Sequence, residues 1–323
     1  MTPLDRLQQI GRIPLGLYPT PLQELARLRS HLNVRPRLLI KRDDLAGPGF
    51  GGNKIRKLEY YFSKALRQGY DSVITCGAET SNHCRITAAI AAQTGLECHL
   101  VLSPASQSGV PASLFLDEIY GASIHRVADS GSRASAMAEL SDSLRAAGRH
   151  PMEIPLGAST PLGALGFVRA ISELESAPGV IFHSSSSGGT QAGLLAGLRL
   201  YGFRDTHLVG VSAGDTAAEV RESVQSILSG LELMLELPAR TLLTEIHVEE
   251  RFAGPGYGIP SPESQEALRL LGRTEGIVLD PVYTAKAFAG MLAYLREGRL
   301  DSSSSVMFWH TGGQLALFSA TPP

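Results

Sequence analysis

Four short segments carry residues whose types and spacing can do chemistry. The first runs Lys41-Arg42-Asp43-Asp44-Leu45, then Gly51-Gly52-Asn53-Lys54-Ile55-Arg56-Lys57-Leu58-Glu59. Two adjacent glycines permit positive φ and a close approach of backbone to ligand. Lys54 follows at the start of a helical pattern. There the positive end of the helix dipole disfavours its protonated form, making it a better nucleophile toward an aldehyde. A Gly-Gly-Asn turn followed by a solvated basic helix face accounts for the same segment. The second segment, Gly77-Ala78-Glu79-Thr80-Ser81-Asn82-His83, follows an apolar run and offers hydroxyls, an amide and free N–H groups at a helix N-terminus. That set suits a carboxylate or a phenolate oxygen. Taken alone, the segment reads more simply as an ordinary N-cap by Thr80 or Ser81, with His83 a satisfied structural histidine.

The third segment is Ser184-Ser185-Ser186-Ser187-Gly188-Gly189-Thr190-Gln191-Ala192-Gly193. It lies between a strand pattern and a helix pattern, where a flexible Ser/Gly linker is not expected. Its exposed N–H groups and hydroxyls suit an anion, and phosphate is the natural guest. No Gly-Lys-Ser/Thr follows and the spacing is not GxGxxG, so a nucleotide loop is not indicated. The fourth group is Gly256-Tyr257-Gly258, Asp280-Pro281-Val282-Tyr283-Thr284 and His310-Thr311-Gly312-Gly313. Tyrosines at such places can act as acid or base, although a packed tyrosine with a wet hydroxyl needs no such role.

The elements that must position these residues alternate. Strand-like apolar runs fall at residues 72–76, 98–102, 180–182, 208–211, 276–279 and 306–309. Helical patterns cover residues 81–94, a stretch from about Val110, 190–201 and 283–295. Alternation of this kind implies an α/β fold with parallel strands and crossover helices. Ligands then gather beyond the carboxyl ends of the strands, where most of the four segments sit.

At 323 residues, 43 % apolar and 19 % charged, the chain suits two lobes and has enough apolar material for a sizeable core. A net charge of −2 without charge runs suggests neither a nucleic-acid nor a membrane surface. Cys76, Cys84 and Cys98 show no CxxC spacing, so neither a zinc site nor a disulfide framework is expected, and a reducing cytoplasm fits. No signal-peptide core and no run of about 20 apolar residues is present. A small molecule is the partner that remains.

Taken together and in order, the segments resemble the fold-type II pyridoxal-phosphate enzymes, and more narrowly the group containing D-cysteine desulfhydrase and 1-aminocyclopropane-1-carboxylate deaminase. The likeness runs from Pro19-Thr20-Pro21-Leu22 to His310-Thr311-Gly312-Gly313. It implies a tryptophan-synthase-β-like architecture of two open, twisted, mostly parallel sheets flanked by helices. It implies a larger cofactor lobe (1–50 and 161–323), a smaller mobile lobe (51–160), a homodimer and a cytoplasmic setting. Lys54 matches the lysine that holds pyridoxal 5'-phosphate as a Schiff base, next to Asn53. Ser187, Gly188, Gly189 and Thr190 match the phosphate loop. Ser81, Asn82 and His83 match residues at the substrate carboxylate and the cofactor's ring oxygen, and Tyr257 and Tyr283 match the two active-site tyrosines. No metal is implied.

Three positions bear on the reaction. The deaminase pairs its tyrosine with a glutamate on the pyridine nitrogen, where this chain has Thr284. It has glutamine where this chain has His83, and a tryptophan where Ser103-Pro104-Ala105 follows Leu102. A neutral hydroxyl leaves the ring a weaker electron sink, enough for a good β-leaving group but less suited to opening a cyclopropane. The expectation is β-elimination from a cysteine-like amino acid (D-cysteine, L-cysteate or a substituted cysteine) to pyruvate and ammonia. A ring-opening deaminase and a β-replacement synthase are the alternatives. Thr80, Ser186, Thr160 and Trp309 depart from the family pattern. With Thr80 and Thr160 for glutamine and asparagine, two amides that could shape the substrate pocket are gone.

Overall fold

The computed structural model describes residues 1–104, 111–237 and 243–318. Val110, the expected helix start, and Ala105 lie outside them; the described helix there is Ala112–Ile119. Ten strands are found among the described residues: β1 (Leu22–Glu24), β2 (Arg37–Arg42), β3 (Ser72–Ala78), β4 (Glu97–Ser103), β5 (Ser123–Arg126), β6 (Pro151–Glu153), β7 (Val180–Ser185), β8 (His207–Ser212), β9 (His247–Glu249) and β10 (Ser305–His310). They form a six-stranded sheet, β1-β2-β10-β7-β8-β9, and a four-stranded sheet, β5-β4-β3-β6. Every pairing is parallel except β1 with β2.

The central strands are apolar on both faces because helices cover both. β3, β7 and β10 are buried almost throughout. Register places Val306 between Leu38 and Val180, so the carboxyl ends of β2, β10 and β7 come out side by side. The helix Lys54–Arg67 is held by Ile55, Leu58 and Phe62, all fully buried with Val73 and Leu100 of the smaller sheet. Each such side chain is worth about 1.5–3 kcal/mol on burial.

Two expectations are corrected. Residues 276–279 do not join a sheet. Gly276 closes the helix Pro262–Glu275 in the left-handed conformation (φ 68°), and the chain beyond it alternates buried Ile277 and Leu279 with exposed Val278 without a ladder partner. Nor is the helix after Gly-Gly-Asn a solvated basic face, since Arg56, Lys57 and Glu59 are each at most 2 % exposed. No described helix is long and apolar enough to cross a membrane. The three cysteines are buried and unpaired.

Candidate active site

The loops leaving β2, β3, β7, β8 and β10 converge on one cleft of about 270 Å³ between the two sheets. Lys54, Asn53, Ser81, Asn82, His83, Ser187, Gly188, Gly189, Thr190, Tyr257 and Tyr283 all line it. Thr284 does not. It is fully buried behind the wall, and its hydroxyl donates to Asp280 Oδ1 at 2.7 Å while accepting from the Asp280 N–H. Thr80 and Thr160 are likewise not among the lining residues. Thr160 caps the helix Pro161–Ala170 and pairs with Tyr61, so its departure from the family pattern leaves the cleft wall untouched.

Lys54 is the first residue of its helix, and its Nζ donates to Asn53 Oδ1 at 3.2 Å. Asn53 Nδ2 in turn donates to Thr190 Oγ1 at 3.1 Å, tying the lysine to the Ser/Gly loop. Withdrawal from water lowers Lys54 to about 8, so an appreciable share of it is a neutral amine at physiological pH.

The Ser/Gly loop opens the helix Gly189–Leu200 and presents its N–H groups. Gly188 stands at φ 77° with Val224 N only 2.9 Å from any Cβ it would bear, and a Cβ on Gly189 would lie 2.8 Å from Lys57 Nζ. A side chain is excluded at Gly188 by backbone, and at Gly189 it would crowd the Lys57 amine and Ser159. Lys57, which sequence reasoning left among the surface cations, points at this loop; its Nζ donates to Ser159 Oγ at 3.0 Å, and Ser159 shares a hydrogen bond with Ser187. Burial, with Lys54 beside it, holds Lys57 well below the usual lysine range. A buried amine with no carboxylate partner among the described residues, at a loop of N–H donors and hydroxyls, fits a doubly charged phosphate. Ser186, the departure in this loop, donates to Asp215 at 2.8 Å.

On the opposite wall Ser81 caps the helix Asn82–Thr94, so the capping reading holds as well. Asn82 Oδ1 accepts from Arg85 at 2.7 Å, which leaves its NH₂ as the group available to a ligand. Thr75 Oγ1 gives its proton to the Ile154 carbonyl and must accept from His83 Nε2. The imidazole is thereby fixed as the Nε2–H tautomer, with Nδ1 buried and without a partner among the described residues. Burial and the two lysines hold His83 well below its ordinary pKa, so it stays neutral. Tyr257 and Tyr283 hydrogen-bond through their hydroxyls, rings edge-on with centroids 5.7 Å apart. Burial pushes Tyr283 far up, so it remains a phenol and a donor at neutral pH.

A lysine-centred cleft with a phosphate cradle is the arrangement that comparison with known proteins identifies. The family profile described as "pyridoxal-phosphate dependent enzyme" matches residues 13–312. The chain belongs to that family. D-cysteine desulfhydrase of Salmonella typhi is 36 % identical over 331 residues, 99 % of each chain, and that of Yersinia pestis (strain Pestoides F) is 37 % identical over 100 % of this chain and 99 % of its own. A crystal structure described as an ACC deaminase homologue superposes with a TM-score of 0.88 at 34 % identity, covering 97 % of this chain and 94 % of that one. Tomato threonine deaminase isoform 2, at 16 % identity and a TM-score of 0.69, shares the fold. The fold is thus the expected fold-type II architecture, and the cofactor of this enzyme is pyridoxal 5'-phosphate.

A pH dependence follows from Lys54. Capture of the cofactor by cofactor-free enzyme is expected to accelerate about tenfold per pH unit up to about 8 and to level off above, because only the neutral amine attacks an aldehyde. Stopped-flow absorbance on adding pyridoxal phosphate measures it, and a flat profile between pH 6 and 8 would refute the assignment.

Proposed function

We propose that this enzyme catalyses β-elimination from a cysteine-like amino acid, releasing the β-substituent, pyruvate and ammonia. The observation that carries the reading is one half-buried lysine, lowered to about 8, between a phosphate cradle and a pair of protonated tyrosines. The names of the Salmonella and Yersinia relatives support sulfur as the departing atom.

In this reading Lys54 attaches the cofactor through Nζ. Ser187, Gly188, Gly189 and Thr190 hold its phosphate, with Lys57 Nζ a further donor beside them and Asn53 aligning lysine and loop. Asn82 donates to its ring oxygen. Ser81, with the N–H groups of Asn82 and His83, holds the substrate carboxylate. Pyridoxal phosphate, when bound, draws off the electron pair left at Cα. Lys54 Nζ, once free, takes the Cα proton. Tyr283, kept in place by Tyr257, donates its proton toward the departing atom.

Thr284 enters this reading indirectly. Its one proton is given to Asp280, so it does not protonate the ring nitrogen, and the carboxylate of Asp280 is occupied by the N–H groups of Val282, Tyr283 and Thr284. This arrangement favours loss of a good leaving group over opening of a carbon ring. We further place the larger lobe at 1–50 and 161–323 and the mobile lobe at 51–160, and read the enzyme as a cytoplasmic homodimer, which sedimentation would test.

The deciding assay offers D-cysteine, L-cysteine, S-methyl-L-cysteine and 1-aminocyclopropane-1-carboxylate to the loaded enzyme. Pyruvate from a sulfur-bearing substrate is expected. 2-Oxobutyrate from the cyclopropane would replace elimination with ring opening.

A further inference from the structure

We propose that Arg133 selects substrates whose β-substituent is itself an anion, with the sulfonate of cysteate as the natural example. This rests on the elimination reading above and narrows it. Among the described residues, three lysine or arginine side chains line the cleft: Lys54, Lys57 and Arg133. The first is taken by the cofactor, and the second is held by Ser159 beside the phosphate loop. Arg133 is left over.

It is the first residue of the helix Arg133–Ala146, on the side of the cleft built by the four-stranded sheet. Its Nε donates to Ser103 Oγ at 3.1 Å, and Nη2 donates to the same oxygen. Ser103 is the last residue of β4 and only 3 % exposed. A buried hydroxyl thus aims the guanidinium while leaving its charge uncompensated. No carboxylate pairs with Arg133 among the described residues. Asp215, the one carboxylate lining the cleft, is engaged by Ser186 next to the phosphate loop. Arg133 and the tyrosine pair, Tyr257 and Tyr283, line the same cleft.

A guanidinium in that position, with N–H groups to spare, matches an oxyanion with two or three oxygens. A thiol or thioether offers it nothing to bind. The reaction on a sulfonate balances without oxidant or reductant. The Cα–H bond breaks and its proton goes to Lys54 Nζ. The freed pair forms Cα=Cβ, and the Cβ–S bond breaks with its electrons staying on sulfur, which leaves as sulfite. Water then hydrolyses the enamine to pyruvate and ammonium.

The rival ligand for the same cation is the α-carboxylate that every amino acid carries, and the test separates the two. Loaded wild-type enzyme, Arg133→Met and Arg133→Lys are given both enantiomers of cysteate, both of cysteine, and S-methylcysteine, with pyruvate, sulfite and sulfide assayed. In parallel, both enantiomers of aspartate, which has a β-carboxylate and no leaving group, are titrated while the visible absorption band is followed. Wild type is expected to release pyruvate and sulfite from cysteate. Arg133→Met should raise KM for cysteate and Kd for aspartate about 10- to 100-fold, the range for one charge-assisted contact. S-Methylcysteine should change less than about threefold, which also reports an intact fold, and Arg133→Lys should recover part of the loss. Equal losses on every substrate would move Arg133 to the α-carboxylate and overturn the proposal. Pyruvate from the neutral amino acids alone overturns the proposal but keeps elimination; pyruvate from none of them overturns both.

Discussion

Lys54→Ala is expected to remove the visible absorption band of the bound cofactor and to reduce turnover by at least about 10³-fold. Two functions are lost together, the nucleophile that attaches the cofactor and the base that takes the Cα proton, and general-base catalysis alone contributes about 10²–10⁴. The neighbouring lysine makes the experiment informative. Lys57 also lines the cleft and is lowered still further by burial. Its position differs, since it is held through Ser159 Oγ and the Gly157 carbonyl toward the Ser/Gly loop, whereas Lys54 Nζ donates to Asn53 Oδ1. Borohydride reduction of loaded wild type followed by peptide mass analysis should place the label on Lys54. A label on Lys57, or a band that survives dialysis in Lys54→Ala, would reassign the attachment point and with it the whole reading of the cleft.

The difference between these two lysines marks where sequence reasoning stops. Alternating strand and helix patterns and glycine-hydroxyl loops at strand ends are local signals. They mark the Ser/Gly loop, the Ser-Asn-His turn and the Gly-Gly-Asn-Lys turn in the sequence itself. Partners that are remote in the chain leave no local trace. Lys57 meets Ser159, 102 residues on, and Arg133 meets Ser103, 30 residues back, so neither could be told from a surface cation. Residues 276–279 failed for the opposite reason. A short apolar run suits a buried strand, but it says nothing about whether another strand lies alongside to complete the ladder. Thr284 shows a third limit. Residue type predicts a free hydroxyl, while the turn that starts the helix Thr284–Arg296 spends that hydroxyl on Asp280.

Arg56→Met is expected to lower stability by about 3–5 kcal/mol, the usual consequence of removing one partner from a buried ionic network. Arg56 is 2 % exposed and donates to both oxygens of Asp43, to both oxygens of Glu173 and to Thr20 Oγ1. Its guanidinium also lies over the Tyr18 ring, 4.3 Å from the centroid. Without it Glu173 keeps Lys41, at 2.6 Å, but Asp43, fully buried, keeps only Thr20 and the indole N–H of Trp309. That bond gives the tryptophan before His-Thr-Gly-Gly a polar partner that an aliphatic side chain could not supply. Paired with Arg56, Asp43 is held below its usual carboxylate range despite its burial. Losing the cation leaves burial to dominate and should drive Asp43 to take up a proton, so the variant is expected to lose less stability at low pH than at neutral pH. The sign follows because wild-type Asp43, depressed below its unfolded value near 3.8, contributes equally at pH 7 and pH 5. A raised Asp43 in the variant instead binds its proton in the folded state first and so recovers stability as pH falls toward 3.8. Urea unfolding of wild type and Arg56→Met at pH 7 and pH 5 measures both effects. A midpoint shift equivalent to less than about 1 kcal/mol at pH 7 would mean that water or a rearranged Lys41 replaces the arginine. The network would then join the loop after β2 to the helix that carries Lys54 far more loosely than these distances indicate.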